Sequence, residues 1–339
     1  MTLTGAILLF ITAAAVIAVT GALLARSADQ LADLTGWGEA LLGAVFLGGV
    51  TSLPGIVTSV VAALENHPQL AVSNAIGGIA AQTLFLCIAD LSYRQSNLEH
   101  AAASVTNLMQ GILLIGLLSL VLIGHTGPEV AFWHIHPLSF FIIVLYLGGS
   151  ALIARAKDRP MWTPLLTQAT VKDIPDDDTI TRLSVPGVAV KFTGLALIVA
   201  VAGYTLGQTG IFIADQTGLS EGLVGTLFTA VASSLPELIV SIAAVRQGAL
   251  TLAVGNIIGG NSFDVLFVAF ADMAYLPGSI LHAIVDDQIF FIALTLLLTS
   301  ILILGLLHRE KHGIAGIGWE SFSIIVLYFA GNLFLFLGL

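Results

Sequence analysis

The sequence predicts an all-α polytopic membrane protein with ten transmembrane helices, arranged as two inverted five-helix repeats. Three observations lead there: charge is scarce, apolar runs are long, and one segment occurs twice. The chain has 339 residues, of which 57% are hydrophobic and 9% charged, with a mean hydropathy of +1.00. Soluble domains carry about 25% charged residues, so too little polar surface is available for a cytosolic enzyme. Disordered chains are polar and charge-rich, which excludes disorder. A β-barrel would alternate apolar and polar residues over short segments, whereas the apolar runs here are continuous.

A helix crossing the hydrocarbon core needs about 20 residues. By that criterion spans are expected at 3–25, 38–64, 69–92, 101–124, 131–154, 187–207, 221–245, 249–275, 288–307 and 315–338. No Lys or Arg precedes the first run, so it lacks the charged start of a signal peptide and reads as a span. With ten spans, Arg26, Arg94, Arg155, Lys157, Arg159, Lys172, Arg182, Lys191, Arg246, Arg309 and Lys311 all fall on one face. The positive-inside rule makes that face cytoplasmic and leaves both termini outside. The missing targeting peptide and large soluble domains suit a prokaryotic inner (plasma) membrane. The long connection 156–186 holds four prolines and the run Asp176-Asp177-Asp178. It reads as a cytoplasmic linker, since three adjacent carboxylates without a Gly turn or a distal Glu do not form an EF-hand loop. It divides the chain into a first repeat at 1–155 and a second at 187–339. The net charge of −10 and the lack of a basic tail exclude nucleic acid as a partner. The expected partners are membrane lipid and inorganic cations. The lone Cys87 permits neither an intrachain disulfide nor a zinc cluster.

Residues 46–93 align without gaps to 228–275 at a constant offset of 182, with 18 of 48 positions identical. Five spans per half is an odd number, so the second copy enters the membrane from the opposite side. Inverted repeats are the architecture of many secondary transporters, with the site near the midplane. Two nearly equal inverted halves can exchange inward-open and outward-open states by swapping conformations.

Ionisable groups at membrane depth are costly and mark functional sites by default. In span seven, Ser233-Ser234-Leu235-Pro236-Glu237 combines a proline that disrupts the helical ladder with hydroxyls and a carboxylate. The proline is expected to free carbonyls of the preceding turn, between Thr229 and Ala232; Ala230 and its repeat counterpart Gly48 are taken as candidate ligands. In span eight, Gly255 to Asp264 reads as a second break, with Asn256 and Asp264 on one face. The bland alternative for its glycines is tight helix packing. The first copy offers Thr51, Ser52, Asn74 and Gln82, with Gly55 in place of Glu237 and Gln82 in place of Asp264. Hard oxygen ligands of this kind suit Na⁺ or Ca²⁺. Asp90 and Asp272 correspond across the repeats near span ends and read as interfacial caps. His134 and His136 beside Trp133 read as part of an aromatic belt.

The paired Ser/Thr-Ser-x-Pro and Asn-x-x-Gly elements, the second copy as Gly-Asn-x-x-Gly, resemble the cation/Ca²⁺ antiporter superfamily, its Na⁺/Ca²⁺ exchanger branch above all. The resemblance implies four central sites between spans two, three, seven and eight that hold Na⁺ or Ca²⁺ in alternation, and spans one and six as a sliding gating pair. It implies Glu237 as bridging carboxylate, Asp264 as second acidic ligand, Ser233, Ser234, Thr51 and Ser52 as hydroxyl or carbonyl ligands, and Gln82 in an amide or acid position. It also implies a glutamate where Gly55 stands and serines where Gly78 and Gly260 stand, so the first repeat is atypical. The expected function is secondary-active Na⁺/Ca²⁺ exchange by alternating access, with no enzyme activity and no cofactor beyond the transported ions. The alternatives are cation/H⁺ exchange, antiport of another cation such as Mg²⁺ or K⁺, and a cation channel.

Overall fold

The computed structural model describes residues 1–35, 46, 48–93, 97–102, 104–158, 160–165, 167, 184–310 and 317–337. The acidic run of the linker lies outside these, as do the first residues of the expected second span. The described residues are helical almost throughout. In chain order the helices are α1 (Leu3–Thr35), α2 (Leu53–Leu64), α3 (Pro68–Ser92), α4 (Leu98–Ala101), α5 (Val105–Thr126), α6 (Pro137–Asp158) and α7 (Val185–Thr217). They continue as α8 (Glu221–Ser233), α9 (Leu235–Gln247), α10 (Leu250–Asp264), α11 (Leu266–Ala274), α12 (Asp286–His308) and α13 (Trp319–Leu337).

Among the described residues, eight spans are long and apolar enough to cross a membrane, α10 and α11 together forming one, and α8 with α9 supplies a ninth, bent by 46°. The shorter apolar α2 is preceded by helical residues at 46 and 48–51. The bends follow from chemistry. Pro54 and Pro236 stand in the first turns of α2 and α9, where a missing N–H is harmless to the new helix. Each one deprives the carbonyl four residues back, Val50 or Ala232, of its helical donor.

The core is polar-lined but closely packed. The α3 window is 94% buried and the α10–α11 window 78%, against 28% for α1 and 17% for α7. Thus α3 and α10–α11 are the centre, and α1 and α7 lie outside it against each other. Both outer helices run to 33 residues, longer than expected; at 1.5 Å per residue such a helix exceeds the hydrocarbon thickness and must tilt or protrude.

One sequence expectation is corrected here. The glycines of span eight do not break it: α10 is continuous from Leu250 to Asp264, and the interruption comes at Val265. Glycine within a helix keeps its backbone bonds, and here it serves close approach instead. A Cβ on Gly255 would lie 2.9 Å from Asn107 Oδ1, and one on Gly259 3.1 Å from Gln110 Nε2.

Candidate functional site

Two helix breaks meet near the middle of the molecule. Ser52 and Ser234 occupy the N-cap positions of α2 and α9, yet neither side chain caps its helix. Both hydroxyls turn toward the other half. Ser52 Oγ donates to Asp264 Oδ1 at 2.5 Å. Gln82 Nε2 donates to Asp264 Oδ2 at 2.5 Å and to Ser234 Oγ at 3.3 Å. These four residues are two pairs separated by the repeat offset, 52 with 234 and 82 with 264. The hydrogen-bonded chain Ser52–Asp264–Gln82–Ser234 is therefore built on the internal symmetry, with an amide on one side and an acid on the other. All four are buried.

Glu237 is 1% exposed and lies in the first turn of α9, where free N–H groups and the helix dipole favour negative charge. It is within Coulombic reach of Asp264, and its Oε2 has no hydrogen-bond partner. Gln82 Oε1 is also buried without a donor. The described groups that turn oxygen toward this place are the two carboxylates, Ser52, Ser234 and Gln82. With Pro54 and Pro236 lacking N–H groups, the carbonyls of Val50 and Ala232 join the candidates.

The structure treats the other sequence-derived candidates differently. Thr51 Oγ1 and Ser52 N both donate to Gly48 O, at 3.1 and 3.0 Å. Ser233 Oγ and Ser234 N both donate to Ala230 O, at 3.2 and 3.1 Å. In this conformation the Gly48 and Ala230 carbonyls thus have both lone pairs engaged, and the Ser233 and Thr51 hydroxyls are the groups engaging them. The proline frees the carbonyl two residues further on. Asn74 Nδ2 donates to Gly55 O at 3.2 Å and to Ser59 Oγ at 2.9 Å, tying α3 to α2. Its counterpart Asn256 leaves Nδ2 unpartnered, as is Oγ of Ser241, the counterpart of Ser59.

The glycines that stand at expected ligand positions divide into two kinds. A Cβ on Gly55 would lie 2.5 Å from Phe267 Cε2, so the ring of Phe267 fills the space where an acid is expected. Phe263 stacks edge-on to Phe267 and to Tyr146, which makes that side of the site aromatic. By contrast, a Cβ on Gly78 would meet Ser234 Oγ at 3.4 Å and Asp264 Oδ2 at 3.9 Å, and one on Gly260 would meet Gln82 Oε1 at 3.4 Å. Those are ordinary contacts, and both glycines line the site.

The outer helices cross the breaks. Gly21 of α1 packs so tightly on Pro236 that a Cβ there would overlap its ring. Gly203 of α7, again 182 residues on, lies against Pro54, where a Cβ would be 2.9 Å from its carbonyl oxygen. Thr58 Oγ1 adds a hydrogen bond to Gly203 O at 3.0 Å. Sequence reasoning missed this glycine pair because it falls outside the aligned segment, though the same offset would have found it. It also missed the π-helical turn Val224–Thr229, a feature frequent at functional sites, for which the sequence holds no local signal.

The geometry agrees with comparisons to known proteins. The inner membrane protein YrbG of Escherichia coli is 28% identical over 242 residues, 71% of this chain and 70% of that protein. The sodium/calcium exchanger MaX1 of Methanosarcina acetivorans is 30% identical over 141 residues, 42% of this chain and 38% of that protein. Among solved structures, the H⁺/Ca²⁺ exchanger CAX superposes with a TM-score of 0.68 at 16% identity, covering 97% of this chain and 82% of CAX. The sodium-calcium exchanger NCX_Mj superposes with a TM-score of 0.63 at 17% identity, covering 98% and 99%. Residues 5–154 and 187–337 match the family model described as sodium/calcium exchanger protein. This chain belongs to that family, as a membrane cation antiporter and not an enzyme.

Proposed function

We propose that the chain exchanges Ca²⁺ for Na⁺ by alternating access, with the ions held among Glu237, Asp264, Ser52, Ser234 and Gln82. The observation that carries this reading is the pair of buried carboxylates where two broken helices meet. Buried charges persist only when paired or bound to a cation. Ca²⁺ takes 6–8 oxygen ligands, and the carboxylates, hydroxyls, amide oxygen and proline-freed carbonyls offer a set of that order. Two negative charges balance one divalent or two monovalent ions. Na⁺ and Ca²⁺ then compete for overlapping ligands, and the gradient of one drives the other.

Alternating access is supported by a difference between the halves. The Asn74–Ser59 bond is closed, and Glu221 takes hydrogen bonds from Leu70 N at 3.2 Å and pairs with His67 at 2.7 Å. Those contacts lie on the face opposite Arg246 and Arg309. The equivalent Asn256–Ser241 bond, toward the basic face, is not made. We read this conformer as closed to the outside and looser toward the cytoplasm, with both termini outside.

The test is flux in proteoliposomes. An imposed Na⁺ gradient is expected to drive ⁴⁵Ca²⁺ movement, and Glu237→Gln is expected to abolish it; wild-type flux in that variant removes Glu237 from the site. Cation/H⁺ exchange is the second reading, favoured by Gln82 and Gly55, which leave only two acids at the site. Flux driven by a pH gradient in Na⁺-free medium would select it.

A further inference from the structure

Asp90 and Asp272 are equivalent across the repeat, and the groups around them correspond one for one. Asp272 is fully satisfied. Its Oδ1 accepts from Ser279 Oγ at 2.8 Å and Ile280 N at 2.7 Å, and its Oδ2 from His136 N at 2.8 Å and Ser139 Oγ at 2.6 Å. Nearby, Leu138 and Leu281 pack against Gly124. This arrangement is a structural staple.

At the same offset of 182, the counterparts around Asp90 are Asn97, Leu98, Gly318 and Ser321. Leu98 N donates to Asp90 Oδ1 at 2.7 Å, as Ile280 does to Asp272. The others diverge. Asn97 Nδ2 donates to Glu310 O at 2.9 Å, and Ser321 Oγ donates to Glu99 Oε1 at 3.1 Å. The counterparts of Leu138 and Leu281 are Glu320 and Glu99. One cage, built twice, is thus closed by two leucines on one face and by two glutamates on the other.

Asp90, Glu99 and Glu320 are each 0% exposed. Glu99 Oε2 and both carboxyl oxygens of Glu320 have no hydrogen-bond partner. Space has been made for Glu320: a Cβ on Gly305 would lie 2.5 Å from its Cγ, and one on Gly318 would overlap its carboxyl group. The groups around the cluster come from every element packed there. They are the Cys87 thiol of α3, His100 of α4, and His308, Arg309 and Glu310 at the end of α12. His100 is held by Arg309 O and Thr167 Oγ1, and the Arg309 guanidinium donates to the carbonyls of His100 and Leu165. The charges that act on Glu99 are both carboxylates, Asp90 and Glu320. Among the described residues, no three His, Cys, Asp or Glu side chains have metal-ligand geometry. Like charges that share a buried site do not all ionise.

We propose that Asp90, Glu99 and Glu320 form a proton-binding site separate from the transport site, holding at least one proton between carboxyl oxygens near the basic face. A shared proton turns repulsion between two carboxylates into a hydrogen bond and ties α3, α4 and α13 together. Losing it leaves buried negative charges that push these elements apart. Burial, and then Asp90 and Glu320, push Glu99 up to about 8, from about 4.3 in an unfolded chain. The folded state therefore binds the extra proton between those values, and its stability falls as pH rises through that window.

The experiment measures thermal unfolding of the purified full chain against pH, in a Glu237→Gln background so that the transport site is disabled throughout. The melting temperature is expected to fall between about pH 4.3 and about pH 8. Glu99→Leu/Glu320→Leu, which copies the leucine pair of the other half, is expected to flatten that fall. Glu99→Gln provides the same readout if the double variant does not fold. Infrared spectra are expected to show a protonated-carboxyl band at neutral pH that Glu99→Gln removes. An unchanged pH profile and band in these variants would overturn the proposal. So would stabilisation by added Ca²⁺ that Glu99→Gln abolishes, because the site would then hold a divalent cation.

Discussion

At the scale of single residues, the site is asymmetric in charge on a symmetric frame. Ser52 and Ser234 face each other's halves, but Gln82 donates where Asp264 accepts. The glycines predict different outcomes. Gly55→Glu adds a side chain where the Phe267 ring stands, and overpacking of this kind costs about 1–3 kcal/mol. Its melting temperature is expected to fall, with no gain in Ca²⁺ binding. Gly78→Ser adds a side chain whose Cβ makes ordinary contacts with Ser234 and Asp264. It is expected to fold normally and to tighten Ca²⁺ binding by isothermal titration. Equal behaviour of the two variants would contradict the view that one position is filled and the other open. Of these residues, Glu237, Asp264, Ser52, Ser234 and Gln82 were legible from the sequence, because polar groups in apolar spans are conspicuous. The range Thr229 to Ala232 was legible from the proline, but that the Ala230 carbonyl within it is already taken was not. Thr51 and Ser233 side chains fold back on Gly48 and Ala230, a rotamer choice that leaves no mark in the sequence.

At the scale of helices, the proline breaks were readable and the glycine contacts were not. Pro54 and Pro236 begin new helices as expected, while Gly255 to Gly260 leave α10 intact. A glycine pattern fits both a break and a close approach, and only the neighbour decides between them. For Gly21 and Gly203 the neighbours are the two prolines, so each outer helix rests on the break of the opposite half. Thr58 bonds α2 to α7 through Gly203 O, whereas its counterpart Val240 has no hydrogen to donate. Thr58→Val makes the two crossings chemically alike. It removes a bond worth about 1 kcal/mol and is expected to raise the exchange rate by several-fold in initial-rate flux measurements. An unchanged rate would mean that sliding of α7 on α2 does not limit transport. In the same way, Asn74→Ala removes the closed Asn74–Ser59 contact. It is expected to increase labelling of a cysteine placed at Ala62, one turn further along α2, by a membrane-impermeant reagent applied from outside.

At the scale of the molecule, the offset of 182 extends well beyond the aligned 48 residues. It relates Gly21 to Gly203, and Ser139 beside Asp272 to Ser321 beside Asp90. Composition, span count and the repeat were enough to give the fold class, because a membrane allows few architectures. What the repeat could not give was which equivalent contacts are closed. The two halves share a sequence pattern but not a set of contacts: Asn74 bonds Ser59, while Asn256 Nδ2 and Ser241 Oγ are unpartnered. The same comparison exposes the buried acids Glu99 and Glu320, whose counterparts are leucines.

The most direct measurement is anomalous scattering from crystals of the full chain grown with Ca²⁺ or a heavier divalent analogue. A peak enclosed by Glu237, Asp264, Ser52 and Ser234 is expected, absent in Asp264→Asn, with no peak among Asp90, Glu99 and Glu320. A chain that transports Ca²⁺ yet shows density only away from the two central carboxylates would contradict it.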